Sequence, residues 1–377
     1  MNPRDLSAHV AYRGGRGPEA VARSLGMDPA ELVVLSSNEN PLGPSPAVQD
    51  AIREAAAEGG RYPKAIHEDL VEALARHWDV DPAQIWLANG GDGAIDYLFR
   101  ATLEPGDAIL EPTPGFAYYG MSARFHHGRV DRYDLSRERD FRNVEEALLA
   151  VYDGHRVVVV TSPHNPTGAQ VSPDTVRRIA AETDPETLVL VDEAYAEYAT
   201  GPDAVRVVTG ADGEPARSDV AVVRTFSKAY GLAGLRLGYA IAPIDWADAY
   251  PKVRTPFAAG TLSCRAGLAA LEDDAHLERS ISLARAGRAR LRRELSARVW
   301  PSEGNFVLAK VGDGSAVANA AQERGVLIRD CTSFGLPDCV RITVGTPAEL
   351  GRAVEAIETV LGEAPSNGAR PANGGSG

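Results

Sequence analysis

Lys228 is one of only four lysines in a chain of 377 residues, and it ends the segment 220–228, which begins with an apolar run at 220–224. Arg236 stands eight residues later in a glycine-punctuated stretch. A lysine in this setting can bond covalently to an aldehyde, and an arginine can hold a phosphate by a charge-assisted contact. Pyridoxal 5'-phosphate (PLP) carries both groups, so the segment predicts a PLP site. The alternative is a solvated surface lysine, the usual position of that residue.

Two further segments carry groups that suit the ring of this cofactor. Asn165, in the segment Thr161–Gly168, could donate a hydrogen bond to the phenolic oxygen, or it could belong to an ordinary turn. Asp192 ends the apolar run Leu188–Val191 and could keep a proton on the ring nitrogen, which makes the ring draw electrons. Tyr195 could reach the phenolic oxygen. Here the alternative is a helix N-cap aspartate beside a packed tyrosine.

The phosphate group has its own candidates in two loops. Ser227, next to Lys228, could bind it together with Arg236. Gly91 and Asp92 open a glycine-rich segment in which backbone N–H groups at a helix N-terminus could approach an anion. Glycine-rich turns are common, so this segment means little by itself. In a parallel sheet such loops meet where the strands end.

The elements that must position these groups alternate between apolar runs and helical patterns. The runs at 108–110, 156–161, 187–191 and 220–224 are nearly continuous, which indicates strands covered on both faces of a parallel sheet. Helical patterns such as 145–151 and 173–182 separate several of them, which favours an α/β domain. Helices at 262–271 and 275–298 and short strands at 305–310, 326–329 and 339–344 indicate a smaller α+β domain.

These patterns predict four divisions of the chain. We expect residues 1–45 to form an N-terminal segment that belongs to the small domain, and residues 46–255 to form a large PLP-binding domain. Residues 256–363 should form the small C-terminal domain. The tail 364–377 is rich in glycine, proline and asparagine, and we expect it to be disordered.

Composition excludes several kinds of protein. A net charge of −13 argues against binding to nucleic acid. The sequence contains no run of 18 apolar residues, so we do not expect a membrane span. The three cysteines lack metal-ligand spacing, so we expect no metal site. They are also too few for a disulfide scaffold, so we expect the protein to be located in a reducing cytoplasm. The expected partners are small-molecule substrates.

The motifs together resemble a known family. Asn-Pro-Thr-Gly at 165–168, Asp-Glu-Ala-Tyr at 192–195 and Ser-Lys at 227–228, followed by Gly-Leu-Arg-Leu-Gly, are similar to the class I/II aminotransferases of PLP fold type I. The segments 38–44, 61–63, 301–306 and 341–345 resemble the histidinol-phosphate aminotransferase branch. The resemblance implies a large domain with a mainly parallel sheet and a smaller α+β domain. It implies that Lys228 binds the cofactor and moves the proton, with Asp192 and Tyr195 beside it.

The resemblance also implies contacts beyond the cofactor ring. Tyr62 would reach the cofactor phosphate of a neighbouring subunit, so a homodimer is expected. Arg341 would hold the substrate carboxylate or a substrate phosphate. The further substrate-binding candidates are Arg329, Tyr12 and Asn40.

The segment 112–116 allows two alignments for the aromatic residue that stacks on the ring. One places Pro114 in the stacking position and the other places Phe116 there. We expect Phe116, since its spacing to the following residues fits better and a phenylalanine ring can stack.

The activity that the resemblance implies is transamination between L-histidinol phosphate and 2-oxoglutarate in histidine biosynthesis. Three alternatives stay open. They are an aromatic or other amino-acid aminotransferase, a threonine-phosphate decarboxylase-like enzyme, and a PLP-binding sensor without catalysis. Release of carbon dioxide would distinguish the decarboxylase, and cofactor binding without turnover would indicate the sensor.

Overall fold

The computed structural model of the chain describes residues 6, 7, 9, 11, 17–210 and 213–363. The strands are β1 Val33–Leu35, β2 Ile85–Asn89, β3 Ala108–Thr113, β4 Arg129–Asp134, β5 Val157–Thr161, β6 Leu188–Asp192, β7 Val220–Thr225, β8 Leu237–Ile241, β9 Arg298–Val299, β10 Phe306–Lys310, β11 Val326–Asp330 and β12 Cys339–Thr343. The helices are α1 Pro18–Leu25, α2 Pro46–Ala55, α3 Lys64–Trp78, α4 Gly90–Thr102, α5 Tyr118–Phe125, α6 Val144–Leu149, α7 Pro173–Glu182, α8 Val205–Thr209, α9 Tyr250–Val253, α10 Thr261–Leu271, α11 Asp274–Glu294, α12 Gly314–Glu323 and α13 Pro347–Glu363.

A seven-stranded sheet forms the larger layer, with the strand order β2-β8-β7-β6-β5-β3-β4. Every neighbouring pair from β7 to β4 is parallel, whereas β8 is antiparallel to both β2 and β7. All residues of β5, β6 and β7 are buried, which explains why their sequences are nearly continuous valine and leucine. The expectation of an α/β fold with a mainly parallel sheet is confirmed.

The strand directions bring several chain segments to one edge of this sheet. Because β8 opposes both neighbours, β2 runs in the same direction as β7. The last residues of β2, β5, β6 and β7 therefore share an edge with the first residue of β8. The side chains that follow or precede these strand ends can meet there, which is the usual ligand position in an open α/β sheet.

A second sheet has the order β1-β11-β12-β10-β9. Its first strand comes from the N-terminal segment, and Val33 pairs with Val326 in parallel. Helices α11 and α13 contact each other, and α12 packs on β11 and β12. Helix α10 instead packs against α2 and α3, and its Cys264 belongs to the same core as Leu70. The domain boundaries stay predictions, and we propose that the small domain begins after α10.

Most predicted helices lie close to their observed bounds. Helix α7 begins and ends as predicted. The helix predicted to reach Arg298 ends at Glu294, because Leu295 already has an extended backbone. Arg298 and Val299 form β9 instead, paired with the end of β10. The predicted tail 364–377 lies outside the described residues.

Two general features concern the part of the chain that the structure describes. No helix there combines the length and the apolar character needed to cross a membrane. The described side chains also include no cluster of three or more histidine, cysteine, aspartate or glutamate residues suited to a metal ion.

Candidate active site

A cavity of about 680 Å³ lies at the shared edge of the large sheet and reaches the second sheet. Eleven of the residues singled out in the sequence line this cavity, although they come from distant segments of the chain. They are Gly91, Asp92, Phe116, Asn165, Asp192, Tyr195, Ser227, Lys228, Arg236, Arg329 and Arg341.

Lys228 lies in the connection between β7 and β8 and is half-buried. Its Nζ donates a hydrogen bond to the carbonyl oxygen of Ser37 at 3.4 Å, and it lies 5.6 Å from the centre of the Tyr195 ring. The amine therefore faces the cavity rather than open solvent. This position suits an amine that bonds covalently to a bound aldehyde.

Asp192 is the last residue of β6 and is 7 % exposed. Its Oδ1 accepts from the backbone N–H of Ala194 at 3.0 Å, and its Oδ2 accepts from the Tyr119 hydroxyl at 2.6 Å. Burial raises the pKa of Asp192, and the hydrogen bond from Tyr119 opposes that rise. A cationic ring nitrogen beside this carboxylate would favour its ionised form. The N-cap alternative fails, because the next helical turn begins at Ala196 without a side-chain cap.

The residue after Asp192 serves a different purpose. Glu193 is buried and accepts from Arg224 Nη1 at 2.8 Å, and Glu197 accepts from Arg224 Nη2 at 3.1 Å. Arg224 also lies over the Trp78 ring, with its Cζ 4.5 Å from the ring centre. Such a buried charge cluster links the end of β6 to the end of β7. It therefore fixes the position of Asp192 relative to the start of the loop that carries Lys228.

The candidate phosphate end of the cavity combines a helix N-terminus with Arg236. Helix α4 begins at Gly90 directly after β2. Arg236 Nη2 lies 3.3 Å from Asp92 Oδ2, and its Nη1 lies 3.4 Å from Ser227 Oγ. Gly90 has φ +75°, and a Cβ there would stand 2.5 Å from Arg236 Nη2. Glycine at this position therefore lets the guanidinium approach the helix start, where an anion would be favoured.

Two asparagine side chains, Asn38 and Asn165, also line the cavity. Asn165 Oδ1 accepts from Arg341 Nη1 at 2.6 Å, so its Nδ2 is the atom that could donate to a phenolic oxygen. The Tyr195 hydroxyl accepts from Asn38 Nδ2 at 3.0 Å. Asn38 is itself held by Thr343, whose hydroxyl lies 3.1 Å from Asn38 Oδ1. Sequence reasoning missed Asn38, although it opens the motif 38–44.

Two arginines stand on adjacent strands of the small sheet. Arg329 of β11 and Arg341 of β12 are direct cross-strand partners, and both guanidinium groups lie near the Phe334 ring, at 5.7 and 5.8 Å from its centre. Arg341 Nη2 also donates to the carbonyl oxygen of Ser36 at 2.6 Å. Like charges placed opposite each other repel. An anionic ligand between them would relieve this repulsion.

Three aromatic residues of the cavity, Phe116, Tyr118 and Tyr119, come from the start of α5 and the turn before it. Phe116 lines the cavity, and Pro114 is not among its lining residues. The Phe116 ring meets the Tyr119 ring edge-on, with centroids 5.6 Å apart. Tyr119 is fully buried, and it was not among the site residues predicted from the sequence.

The sequence of the chain also matches a known protein family. The model of the class I and II aminotransferases matches residues 30–357, which is most of the chain. The chain belongs to the class I and II aminotransferases. The aminotransferase is thereby an enzyme of a PLP-dependent family, as its motifs predicted.

Known proteins resemble this aminotransferase over nearly its whole length. Histidinol-phosphate aminotransferase of Haloarcula marismortui is 58% identical over 363 residues, which cover 96% of this chain and 99% of that protein. The crystal structure of the enzyme of that name from Sinorhizobium meliloti, in complex with pyridoxal 5'-phosphate, has a TM-score of 0.82 at 30% identity and covers 92% and 95% of the two chains. An aspartate aminotransferase from Thermus thermophilus has a TM-score of 0.80 at 25% identity, with coverage of 96% and 99%. The aminotransferase thus has fold type I.

The residues of the cavity fit PLP on three structural grounds. The half-buried Lys228 amine faces the cavity, and the buried Asp192 carboxylate lies at its floor. At the other end, Gly90 allows Arg236 to stand at the start of α4, in a cradle that a side chain would fill. An aldehyde, a basic ring nitrogen and a phosphate would each find a complementary group.

Two of the residues singled out in the sequence, Asn40 and Tyr62, are not among the residues that line this cavity. Asn40 is buried, and its side chain bonds to Ala229, Ser280 and Leu42, so the substrate contact expected of it stays a prediction. His164 is buried beside Thr167, and burial lowers its pKa to about 4. Tyr62 is exposed on the surface. Tyr12 lies outside the described residues.

Proposed function

We propose that this enzyme catalyses PLP-dependent transamination between L-histidinol phosphate and 2-oxoglutarate, giving imidazole-acetol phosphate and glutamate, in histidine biosynthesis. One observation carries the proposal. A lysine and a buried aspartate share a cavity with two cross-strand arginines, Arg329 and Arg341, in a chain 58% identical to a histidinol-phosphate aminotransferase. We place the reaction in the cytoplasm, where the three buried cysteines would stay reduced.

The proposed roles follow from the positions of the side chains. When bound, PLP supplies an aldehyde for the amine and an electron-withdrawing ring. Lys228 Nζ would hold the aldehyde carbon, and as a free amine it would take the proton from the donor's Cα. Asp192 holds a proton on the ring nitrogen. Asn165 and Tyr195 orient the phenolic oxygen, and Phe116 packs against the ring face.

The phosphate of the cofactor would be held at the start of α4. Ser227 Oγ and the Arg236 guanidinium lie at this end, together with the backbone N–H groups of Gly91 and Asp92. The Asp92 carboxylate stands 3.3 Å from Arg236. We propose that this carboxylate keeps the guanidinium in place, while the backbone of Asp92 faces the anion.

The substrates differ in shape but share negative charge. Glutamate has two carboxylates, and histidinol phosphate has a phosphate dianion. Arg341 is tied to Asn165 and to the carbonyl oxygen of Ser36, so we assign it the carboxylate or phosphate nearest the reacting carbon. Arg329 stands at the neighbouring strand position, and we assign it a distal anionic group.

A homodimer belongs to the same proposal. The Tyr62 side chain is 75% exposed, and its ring stacks at 4.4 Å on Phe257, which is itself 36% exposed. An exposed aromatic pair is costly in water and typical of an interface. We propose that Tyr62 reaches the cofactor phosphate of the partner subunit. Mixing inactive Lys228→Ala and Tyr62→Ala chains should restore activity if each site uses a tyrosine from the other subunit.

The test of the function is a set of half-reactions on the PLP-loaded enzyme. L-Histidinol phosphate, L-glutamate, L-phenylalanine and O-phospho-threonine would be added singly, and the absorbance change of the bound cofactor followed. We expect conversion by the first two and little by phenylalanine. Conversion by phenylalanine alone, or carbon dioxide release from phospho-threonine, would reject the proposal in favour of another substrate or reaction.

A further inference from the structure

Tyr119 belongs to the lining of the cavity and contacts two of the side chains assigned to the cofactor, although 0% of the residue is exposed. Its hydroxyl donates to Asp192 Oδ2 at 2.6 Å, and its ring meets that of Phe116 edge-on at 86°. We propose that Tyr119 is a positioning residue that fixes the Asp192 carboxylate relative to the Phe116 ring and thereby keeps the cofactor's ring nitrogen protonated. The inference rests on the proposed roles of Asp192 and Phe116.

The hydrogen bonds around Asp192 determine the direction of its carboxylate. Ala194 N–H occupies Oδ1 and the Tyr119 hydroxyl occupies Oδ2, so rotation of the carboxylate would break both bonds. The Tyr119 hydroxyl also lies 3.1 Å from Thr161 Oγ1, and Thr161 is the register partner of Asp192 on the adjacent strand. One hydroxyl thus bridges α5 with the ends of β5 and β6.

The charges facing Asp192 explain why a neutral donor matters here. Asp92 of α4 raises the pKa of Asp192 in addition to burial, whereas Lys228 and the Tyr119 hydroxyl lower it. Burial raises the pKa of Tyr119 well above its usual value, so its hydroxyl stays protonated and can donate. Without that bond Asp192 would take up a proton more readily, and it would stabilise a protonated ring nitrogen less.

The test replaces Tyr119 with phenylalanine, which retains the ring that packs on Phe116. The holoenzyme is reconstituted with PLP labelled with ¹⁵N in the ring, and its nitrogen resonance is followed across pH. We expect the Tyr119→Phe signal to move towards that of an unprotonated ring nitrogen. We also expect kcat to fall roughly 10- to 100-fold, as for one lost hydrogen bond to a charged group, with little change in KM.

Tyr133 provides a matched control. It is another fully buried tyrosine, and its hydroxyl donates to the carbonyl oxygen of Val159 at 2.8 Å. Tyr133→Phe also loses one hydrogen bond, and it should leave the ring-nitrogen signal unchanged. A wild-type signal from Tyr119→Phe across the whole pH range would overturn the inference, and so would the same shift in both variants.

Asp192→Asn separates this inference from the function on which it rests. If that variant keeps the wild-type nitrogen signal, the role of Asp192 is wrong. If it shifts the signal and Tyr119→Phe does not, the role of Tyr119 alone is wrong. If Tyr119→Phe fails to fold, the proton spectrum of the wild-type holoenzyme provides the test instead. A downfield hydroxyl proton that disappears in Asp192→Asn supports the inference, and its absence from the wild type rejects it.

Discussion

Replacing Arg341 with alanine should separate substrate binding from cofactor binding. The guanidinium uses Nη1 for Asn165 and Nη2 for the carbonyl oxygen of Ser36, at 2.6 Å each. Those bonds hold its plane still, so a substrate carboxylate can meet a pre-oriented pair of N–H groups. The variant removes this pair and leaves the two oxygens without their donor.

The size of the effect follows from the bonds that are lost. Each hydrogen bond between charged groups contributes about 1.5–3 kcal/mol, so two of them correspond to roughly 10²- to 10⁴-fold in kcat/KM. Arg341→Lys retains the charge but cannot reproduce the paired geometry, and its loss should be smaller. Most of the change should appear as a higher KM for glutamate.

The assay is the glutamate half-reaction, run beside a titration of the apoenzyme with PLP. Arg352 is the matched control, because it is an exposed arginine of the small domain that donates to the carbonyl oxygen of Glu31 at 2.8 Å. Arg352→Ala should behave as the wild type in both measurements. Unchanged kinetics in Arg341→Ala would refute the clamp, and so would a loss of cofactor affinity as large as the loss of kcat/KM.

Four further changes test other parts of the site. Lys228→Ala should lose turnover and the visible absorbance of the covalently held cofactor, while Lys252→Ala keeps both; retained absorbance would reject the assignment of Lys228. Asp192→Asn should lower turnover by several orders of magnitude in an enzyme that still binds PLP, and near-normal rates would remove Asp192 from the mechanism. Arg236→Ala should weaken PLP binding roughly 100-fold in an apoenzyme titration, and unchanged affinity would place the phosphate elsewhere. Burial lowers the pKa of His164 to about 4. As the pH falls from about 6.5 to 4, this histidine therefore binds a proton in the unfolded chain but not in the folded chain. Stability is therefore lost across that window, by up to about 3 kcal/mol, and urea unfolding should show a shallower loss for His164→Gln; equal slopes would contradict this account.

The strands that carry the motifs could be predicted because burial on both faces leaves a local signal. The valine-rich runs before Thr161, Asp192 and Thr225 can be recognised as buried strands without information about the rest of the chain. The motif residues that follow them could therefore be placed at one edge of a sheet. The direction of β8 could not be predicted, because the sequence of a five-residue apolar strand does not show whether its neighbours are parallel or antiparallel.

The contacts of Tyr119 and Asn38 could not be predicted, because each depends on a partner far away in the chain. Tyr119 meets Asp192 across 73 residues, and Asn38 meets Thr343 across 305. Asn40 shows the converse. It belongs to the same short motif as Asn38, yet its side chain bonds to Ala229 and Ser280, and it is not among the residues that line the cavity. A motif identifies a segment, whereas the fold selects which of its side chains face the ligand.

The pairing of β1 with β11 has a consequence for the synthesis of this protein. Ser36, Ser37 and Asn38 follow β1 directly and form one wall of the cavity, where their contacts include Lys228, Arg341 and Thr343. The ribosome synthesises these wall residues early, but the strand β11 that pairs with β1 is synthesised near the end of the chain. Folding during translation can therefore build the large sheet and leave the cavity open. The cofactor can be enclosed only after nearly the whole chain has emerged, and a product truncated before β12 would lack the closed site.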